Sequence, residues 1–166
     1  VLIEPTQRIG GLTTGGLGAT DIGNKQSIGG ISREFYQNIR NYYNNPANWK
    51  WQKQDEYIER RNTGNEDAMW TFEPSAALKV YKQMIDKENI DLVYGERLNR
   101  KNGVVKNGSR ILEILMESGK SYKGQQFIDA TYECDLLAAA GVSYTVGRES
   151  NKEYGETLNG VQDNDY

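Results

Sequence analysis

VLIEPTQRIGGLTTGGLGATDIGNKQSIGGISREF, residues 1 to 35, decides how the rest of the chain is read. It opens on an apolar run, Val1-Leu2-Ile3, which ends in Glu4 and is stopped by Pro5. A buried parallel strand has this form, a short apolar run with a turn behind it. Eight glycines follow in the 21 residues from Gly10 to Gly30. A carboxylate at the C-terminal tip of such a strand can accept two hydrogen bonds from a ribose diol, and dinucleotide-binding βαβ units carry an acidic residue there. Glycines without Cβ atoms let backbone N–H groups come close to a flat or anionic ligand. The plain alternative stands beside this reading: a short strand that binds nothing, followed by turns.

The wording of two segments goes further. Ile3-Glu4-Pro5 followed by Gly10-Gly11-Leu12-Thr13-Thr14-Gly15-Gly16-Leu17-Gly18-Ala19-Thr20-Asp21 resembles a group of bacterial FAD-dependent oxidoreductases, glutathione-reductase-like flavoproteins of the two-dinucleotide-binding-domain type. So does Phe127-Ile128-Asp129-Ala130-Thr131-Tyr132-Glu133, with Asp135-Leu136 and Ala138-Ala139-Ala140-Gly141-Val142-Ser143-Tyr144 behind it. The resemblance implies an α/β fold: a partial FAD/NAD(P)-binding Rossmann-like domain with an antiparallel β-meander and a helical insertion. It implies that Glu4 meets the adenosine ribose. Arg8, Gly10, Gly11, Thr13 and Thr14 would run beneath the pyrophosphate and ring, Leu98 would pass the adenine, and Ala130 and Thr131 would lie against the dinucleotide. The Thr13-Thr14 pair reads equally well as turn-stabilising hydroxyls.

One departure is large. The family's G-x-G-x-x-G turn belongs before the strand that holds Glu4, and this sequence starts at that strand. Val1, with no preceding Met, reads as the start of an excised piece. The chain by itself is then expected to bind FAD weakly or not at all, because the amides and helix N-terminus of that turn are half of a pyrophosphate site.

Composition removes several classes. Lys and Arg number 20 against 23 Asp and Glu, a net charge of −3, with the basic residues scattered. That argues against nucleic acid as a partner. No apolar run is long enough to cross a bilayer, and no signal-like segment opens the chain, so a soluble protein is expected. The sequence has no histidine, which removes Ser-His-Asp and Cys-His catalysis and His-ligated zinc from this chain. Cys134 is the single cysteine. It reads as a small, partly buried helical residue in preference to a reactive thiol.

The 166 residues are read as one truncated domain: ribose strand and glycine-rich loop over 1–30, helical insertion over 31–90, strand, meander and returning strand over 91–131, helix and tail over 132–166. Ile28, Ile31, Phe35, Ile39 and Tyr42 recur at helical spacing over 28–43, with Ser32 as a candidate cap. Trp49, Trp51, Tyr57 and Trp70 stand among charges over 44–73, either packing onto the rest of the protein or forming a sugar-binding platform. Met69 to Glu73 alternates as a short strand. Pro74 to Asn89 is the clearest helix, with Pro74 at its first position and Ala77, Val80, Tyr81, Met84 and Ile85 on one face. Asp91–Tyr94 reads as a strand. Val104–Lys106 and Ile111–Glu117 form a hairpin about Asn107-Gly108. Phe127-Ile128 reads as part of a strand over 125–129, which the resemblance implies rejoins the parallel sheet. Tyr132 to Ala140 reads as a helix whose acids Glu133 and Asp135 suit its dipole and which Gly141 stops.

The leading functional reading is part of an FAD-dependent oxidoreductase acting on a small-molecule substrate. The catalytic residues are not named by the sequence; Tyr144, Arg148 and Glu149 are weak candidates. One alternative is a flavin-bearing lyase or hydrolase acting on carbohydrate, with Trp49, Trp51 and Trp70 holding sugar. Another is a cofactor-free binding module built on the aromatic segment.

Overall fold

The computed structural model describes residues 1–58, 66–158 and 160. Part of the aromatic-rich segment, 59–65, and the end of the tail, 161–166, lie outside the described residues. The chain divides into two compact units, Val1–Glu96 and Arg97–Tyr166.

In the first unit the opening run forms strand β1, Leu2–Glu4, as its apolar triplet and terminating proline predict. It pairs in parallel with β2, Leu92–Tyr94, in the register Leu2↔Leu92, Ile3↔Val93, Glu4↔Tyr94. The pairing carries on past the strands, where the Gly95 amide donates to the Thr6 carbonyl at 3.1 Å. The glycine-rich loop expected behind the strand contains a short helix, α1, Gly11–Gly15, and a 3-10 turn over Lys25–Ser27.

Helix α2 spans Gly30–Tyr43 and α3 spans Pro74–Lys87, with Pro74 at the start of α3 as expected. The N-cap of α2 is Gly29, which makes no side-chain cap, so Ser32 does not cap it. The buried stripe of α2 is Phe35, Ile39 and Tyr43, while Ile31 is 75% exposed. Spacing alone includes both Ile31 and Phe35; packing against α3 selects the narrower stripe. Ala76, Ala77 and Val80 face it from α3, and the small alanines leave room for rings. Phe35 stacks on Tyr81 at 4.5 Å and meets Phe72 edge-on at 5.7 Å. The Tyr43 hydroxyl accepts from the Glu73 amide at 3.0 Å and donates to the Glu73 carboxylate at 3.1 Å, which satisfies the N-terminal end of α3. Burial pushes the Tyr43 phenol well up from its ordinary value, so it remains the donor.

Met69 to Glu73 does not form a strand. It makes a single antiparallel bridge, Thr71 to Ala19, and its backbone is shared between two neighbours. The Met69 amide reaches the Tyr36 carbonyl at 3.1 Å, and the Phe72 amide reaches the Gly18 carbonyl at 2.8 Å.

The second unit holds a three-stranded antiparallel sheet in the order β3 (Val104–Asn107), β4 (Arg110–Leu115), β5 (Ser121–Lys123). The hairpin is where the sequence puts it, but its turn is one residue later. Asn107 pairs with Arg110, so the two loop residues are Gly108 and Ser109. Only Gly108 has positive φ, at 61°; glycine at the first loop position is the signature of a type II′ turn. The strand expected over 125–129 is absent. Ile128 is 89% exposed, and the Asp129 side chain serves the helix that follows.

That helix, α4, covers Asp135–Ala139 instead of starting at Tyr132. Cys134 precedes it in a left-handed conformation, φ 55°, and is exposed instead of partly buried on the helix. With the helix starting later, Asp135 alone occupies its first turn. Gly141, φ 73°, ends it as expected. The tail contributes a final turn of helix, α5, Asn151–Tyr154.

Candidate functional site

Glu4 is the last residue of β1, at the carboxyl end of a parallel pair. Its Oε1 accepts from the Thr6 amide at 2.8 Å and the Thr6 hydroxyl at 2.7 Å. Its other oxygen has no hydrogen bond to a described residue. Thr6 therefore fixes the carboxylate and leaves one acceptor oxygen open. Tyr94, in register on β2, shares a sheet face with Glu4,. Its hydroxyl is buried without a hydrogen-bond partner among the described residues. Glu96, just beyond, is only 5% exposed, and its amide donates to the Glu4 carbonyl at 3.4 Å. Thr6, Tyr94 and Glu96 were not singled out from the sequence. An acidic residue two positions after a strand is the only available signal, and it is a common pattern on any surface.

The glycine-rich ribbon begins behind this strand tip. The Arg8 guanidinium donates to the Thr14 carbonyl at 2.7 Å, closing the turn that carries α1. Thr14 is 1% exposed and its hydroxyl donates to the Ile9 carbonyl. Of the threonine pair, then, Thr14 takes the turn-stabilising role. Thr13 hydrogen-bonds the Tyr81 hydroxyl; burial pushes that phenol up, and the Thr13 bond opposes the shift.

Two glycines are demanded by packing and backbone together. A Cβ at Gly10, φ 93°, would sit 2.5 Å from Thr14 Cγ2 and 2.9 Å from the Tyr81 ring. One at Gly18, φ 64°, would sit 2.8 Å from the Phe72 carbonyl oxygen. By contrast, Gly15 and Gly16 have open space where a Cβ would go. The ribbon thus has an inner side closed by Tyr81 and Phe72 and an outer side bare of side chains at Gly15-Gly16.

Glu4, Arg8, Gly10, Gly11, Thr13 and Thr14 all belong to the first unit and are joined through the Arg8–Thr14 turn. Leu98, Ala130 and Thr131 belong to the second unit. There Leu98 bridges Met116. Asp129 accepts from the Thr131 amide at 3.0 Å, the Thr131 hydroxyl at 2.8 Å and the Leu137 amide at 2.8 Å. Burial pushes its carboxyl up, but these donors and the Leu136 amide together hold it below the ordinary value. The Thr131 hydroxyl in turn accepts from the Asp135 amide at 2.9 Å. So the Asp129-Ala130-Thr131 segment is folded by its own side chains onto the start of α4.

The chain belongs to the FAD dependent oxidoreductase family. It matches that family's model over residues 1–165. No curated protein and no solved structure matches it. The family sets the functional class, oxidation and reduction with FAD. The described residues fit that cofactor at two places. An acceptor oxygen stands open at a parallel strand's carboxyl tip, in register with Tyr94, whose buried hydroxyl has no hydrogen-bond partner among the described residues. A glycine ribbon with a bare outer side follows it. Among the described residues no group of His, Cys, Asp or Glu is placed to hold a metal ion, and no helix is long and apolar enough to cross a membrane.

Trp70, one of the three tryptophans considered for sugar, is fully buried between α2 and the ribbon and offers no ring face to a ligand. Trp49 packs against Tyr43 and Tyr57, at 5.1 and 5.3 Å, with its indole N–H on the Tyr43 carbonyl. Trp51 is 89% exposed. Of the weak catalytic candidates, Tyr144 is 61% exposed, Arg148 donates to the Gly160 carbonyl at 3.0 Å, and Glu149 accepts from Thr145 and Tyr154.

Proposed function

We propose that this chain forms the ribose and ribbon side of the FAD site in an oxidoreductase acting on a small-molecule substrate, within a Rossmann-like domain. The observation that supports it best is Glu4, held by Thr6 at the tip of β1 with one oxygen open. Glu4 accepts from the ribose diol. Gly10, Gly11 and the exposed Gly15-Gly16 edge give the dinucleotide a close approach to backbone amides. Arg8 and Thr14 hold the turn, and Thr13 with Tyr81 sets its inner side. When bound, the flavin supplies the redox chemistry, and the chain supplies binding and orientation.

The 166 residues contain no G-x-G-x-x-G turn, so FAD held by this chain alone lacks that turn's amides and binds weakly. Ligand-observed NMR tests the reading. FAD added to the chain shows broadened adenine and ribose protons, and Glu4→Leu abolishes the broadening while circular dichroism stays unchanged. Equal broadening with Glu4→Leu, or none with the wild type, removes the proposal. A tightly loaded yellow preparation of the chain contradicts the weak-binding part.

A further inference from the structure

We propose that Glu66 is a positioning residue for the glycine-rich ribbon: through Lys25 and Trp70 it fixes the Gly18–Lys25 backbone in the shape presented to the dinucleotide. This rests on the ribbon being a cofactor-binding segment and adds the device that shapes its second half.

The ribbon's first half is held by Arg8, Thr14 and Tyr81. Its second half is held from another quarter. The Phe72 amide donates to the Gly18 carbonyl at 2.8 Å, and the Thr20 amide donates to the Trp70 carbonyl at 3.3 Å. The Thr20 hydroxyl meets the Tyr36 hydroxyl at 3.1 Å. Thr20 is thus tied to Trp70 both directly and through Tyr36, whose ring lies 4.6 Å from the indole, and Trp70 is 0% exposed.

The indole is itself fixed by one carboxylate. Trp70 Nε1 donates to Glu66 Oε2, and Lys25 Nζ lies 2.6 Å from Glu66 Oε1. Glu66 thus joins the residue under the ribbon to the cation at the ribbon's end. The Lys25 and Glu66 side chains are only 18% and 17% exposed, so the pair is substantially screened from water. Arg33 completes the cluster. It donates to the Lys25 carbonyl at 3.0 Å, pairs with Asp67, and stands 5.8 Å from the Trp70 ring centre, as Lys25 does at 5.9 Å. Two cations against one indole need anions beside them. Removing the Glu66 charge takes away the carboxylate 2.6 Å from Lys25 Nζ and the charged acceptor of the Trp70 indole, a loss that costs more at a partly buried site than at the surface. The ribbon end then moves to carry the ammonium to water.

The test compares the full chain with Glu66→Gln and with Lys25→Gln/Glu66→Gln, by FAD titration and by amide hydrogen exchange. Glu66→Gln accelerates exchange at Thr20 and Phe72, leaves Val80 in α3 protected, and raises the FAD Kd about tenfold, the scale of one lost charge-assisted hydrogen bond. The double variant, an uncharged amide pair, recovers part of both. Should Glu66→Gln fail to fold, Lys25→Met cuts the same tie from the ribbon side without leaving an ammonium to hydrate, and is expected to move both readings in the same direction by less. An unchanged Kd with faster exchange at Thr20 and Phe72 overturns the proposal, as does uniform acceleration that includes Val80. No FAD binding by the wild type overturns the cofactor reading and this proposal with it, whereas equal binding by wild type and variants overturns the positioning role alone.

Discussion

The two units are built by different means. Among the described residues, the buried apolar side chains of the first unit include Ile9, Phe35, Ile39, Tyr43, Trp70, Phe72 and Val80, whereas the second unit contributes Met116 and Ala140. The second unit also leaves Ile128, Tyr132, Val142, Tyr144, Val146, Tyr154 and Leu158 exposed. What shapes it is hydrogen bonding, local in the tight hairpin turn and in the Asp129 carboxylate on the backbone before α4, with Lys106 Nζ reaching the Ala140 carbonyl at that helix's end from 34 residues away. The first unit is specified by packing and the second by turn and cap chemistry. Packing is cooperative and long-range; caps act within a few residues.

The contrast orders the expected effects of mutation. The largest is Ile39→Ala. Ile39 is 0% exposed, and truncating a buried isoleucine costs about 2–5 kcal/mol. Chemical denaturation should show the whole first unit losing stability together; a loss under about 1 kcal/mol breaks the claim that packing specifies it. Next is Gly18→Ala, where a left-handed φ and the Phe72 carbonyl both resist a Cβ. A non-glycine left-handed residue costs roughly 1–2 kcal/mol before any clash is counted. The ribbon amides should exchange faster, whereas Gly15→Ala, with open space around it, should leave them as they are.

Asp129→Ala comes third. Losing a helix-start acceptor costs about 0.5–2 kcal/mol, and the loss should stay local, fraying α4 without touching the first unit. Acid offers a second reading of the same contrast. The Asp67 carboxyl, hydrogen-bonded by Arg33 and then Gln37, is pulled down to about 2 from 3.8, and Asp129 is also lowered. A carboxyl lowered by folding stabilises the fold above its unfolded pKa, and that contribution is lost as pH falls through the folded one. Amide protection factors beside Asp67, which divide out the intrinsic pH dependence of exchange, should therefore stay flat down to about pH 4 and fall between there and pH 2; a fall beginning near neutrality contradicts it. The smallest effect is Lys87→Met. Its ion pair with Glu34 spans 3.3 Å with side chains 67% and 44% exposed, and such pairs contribute about 0–1 kcal/mol. A larger loss on thermal unfolding makes surface charge a third organising force.

Legibility in the sequence followed the same division, with a twist. β1, β2 and α3 were legible because each carries its own signal: an apolar run with a stop, or a face with Pro74 at its start. The hairpin was legible from Asn107-Gly108, but not its turn position. Register is set by cross-strand pairing, and the Asn107–Arg110 pair moves the loop by one residue. Phe127-Ile128 looks like a strand by composition, yet among the described residues no strand pairs with it, and the Asp129 carboxylate is taken up by the backbone at the start of α4. Ile31 and Phe35 are indistinguishable by spacing. Trp70 is one of three tryptophans until the ribbon and α2 close over it.

By itself the sequence determined the family, the acidic tip of the first strand and the glycine-rich ribbon behind it, because these are properties of short contiguous stretches. Only the tertiary structure decided which glycines are required by packing, which threonine serves the turn, and that Glu66, 41 residues from Lys25, holds the ribbon's end. Those decisions depend on which distant side chains meet, and no local pattern of residues carries that information.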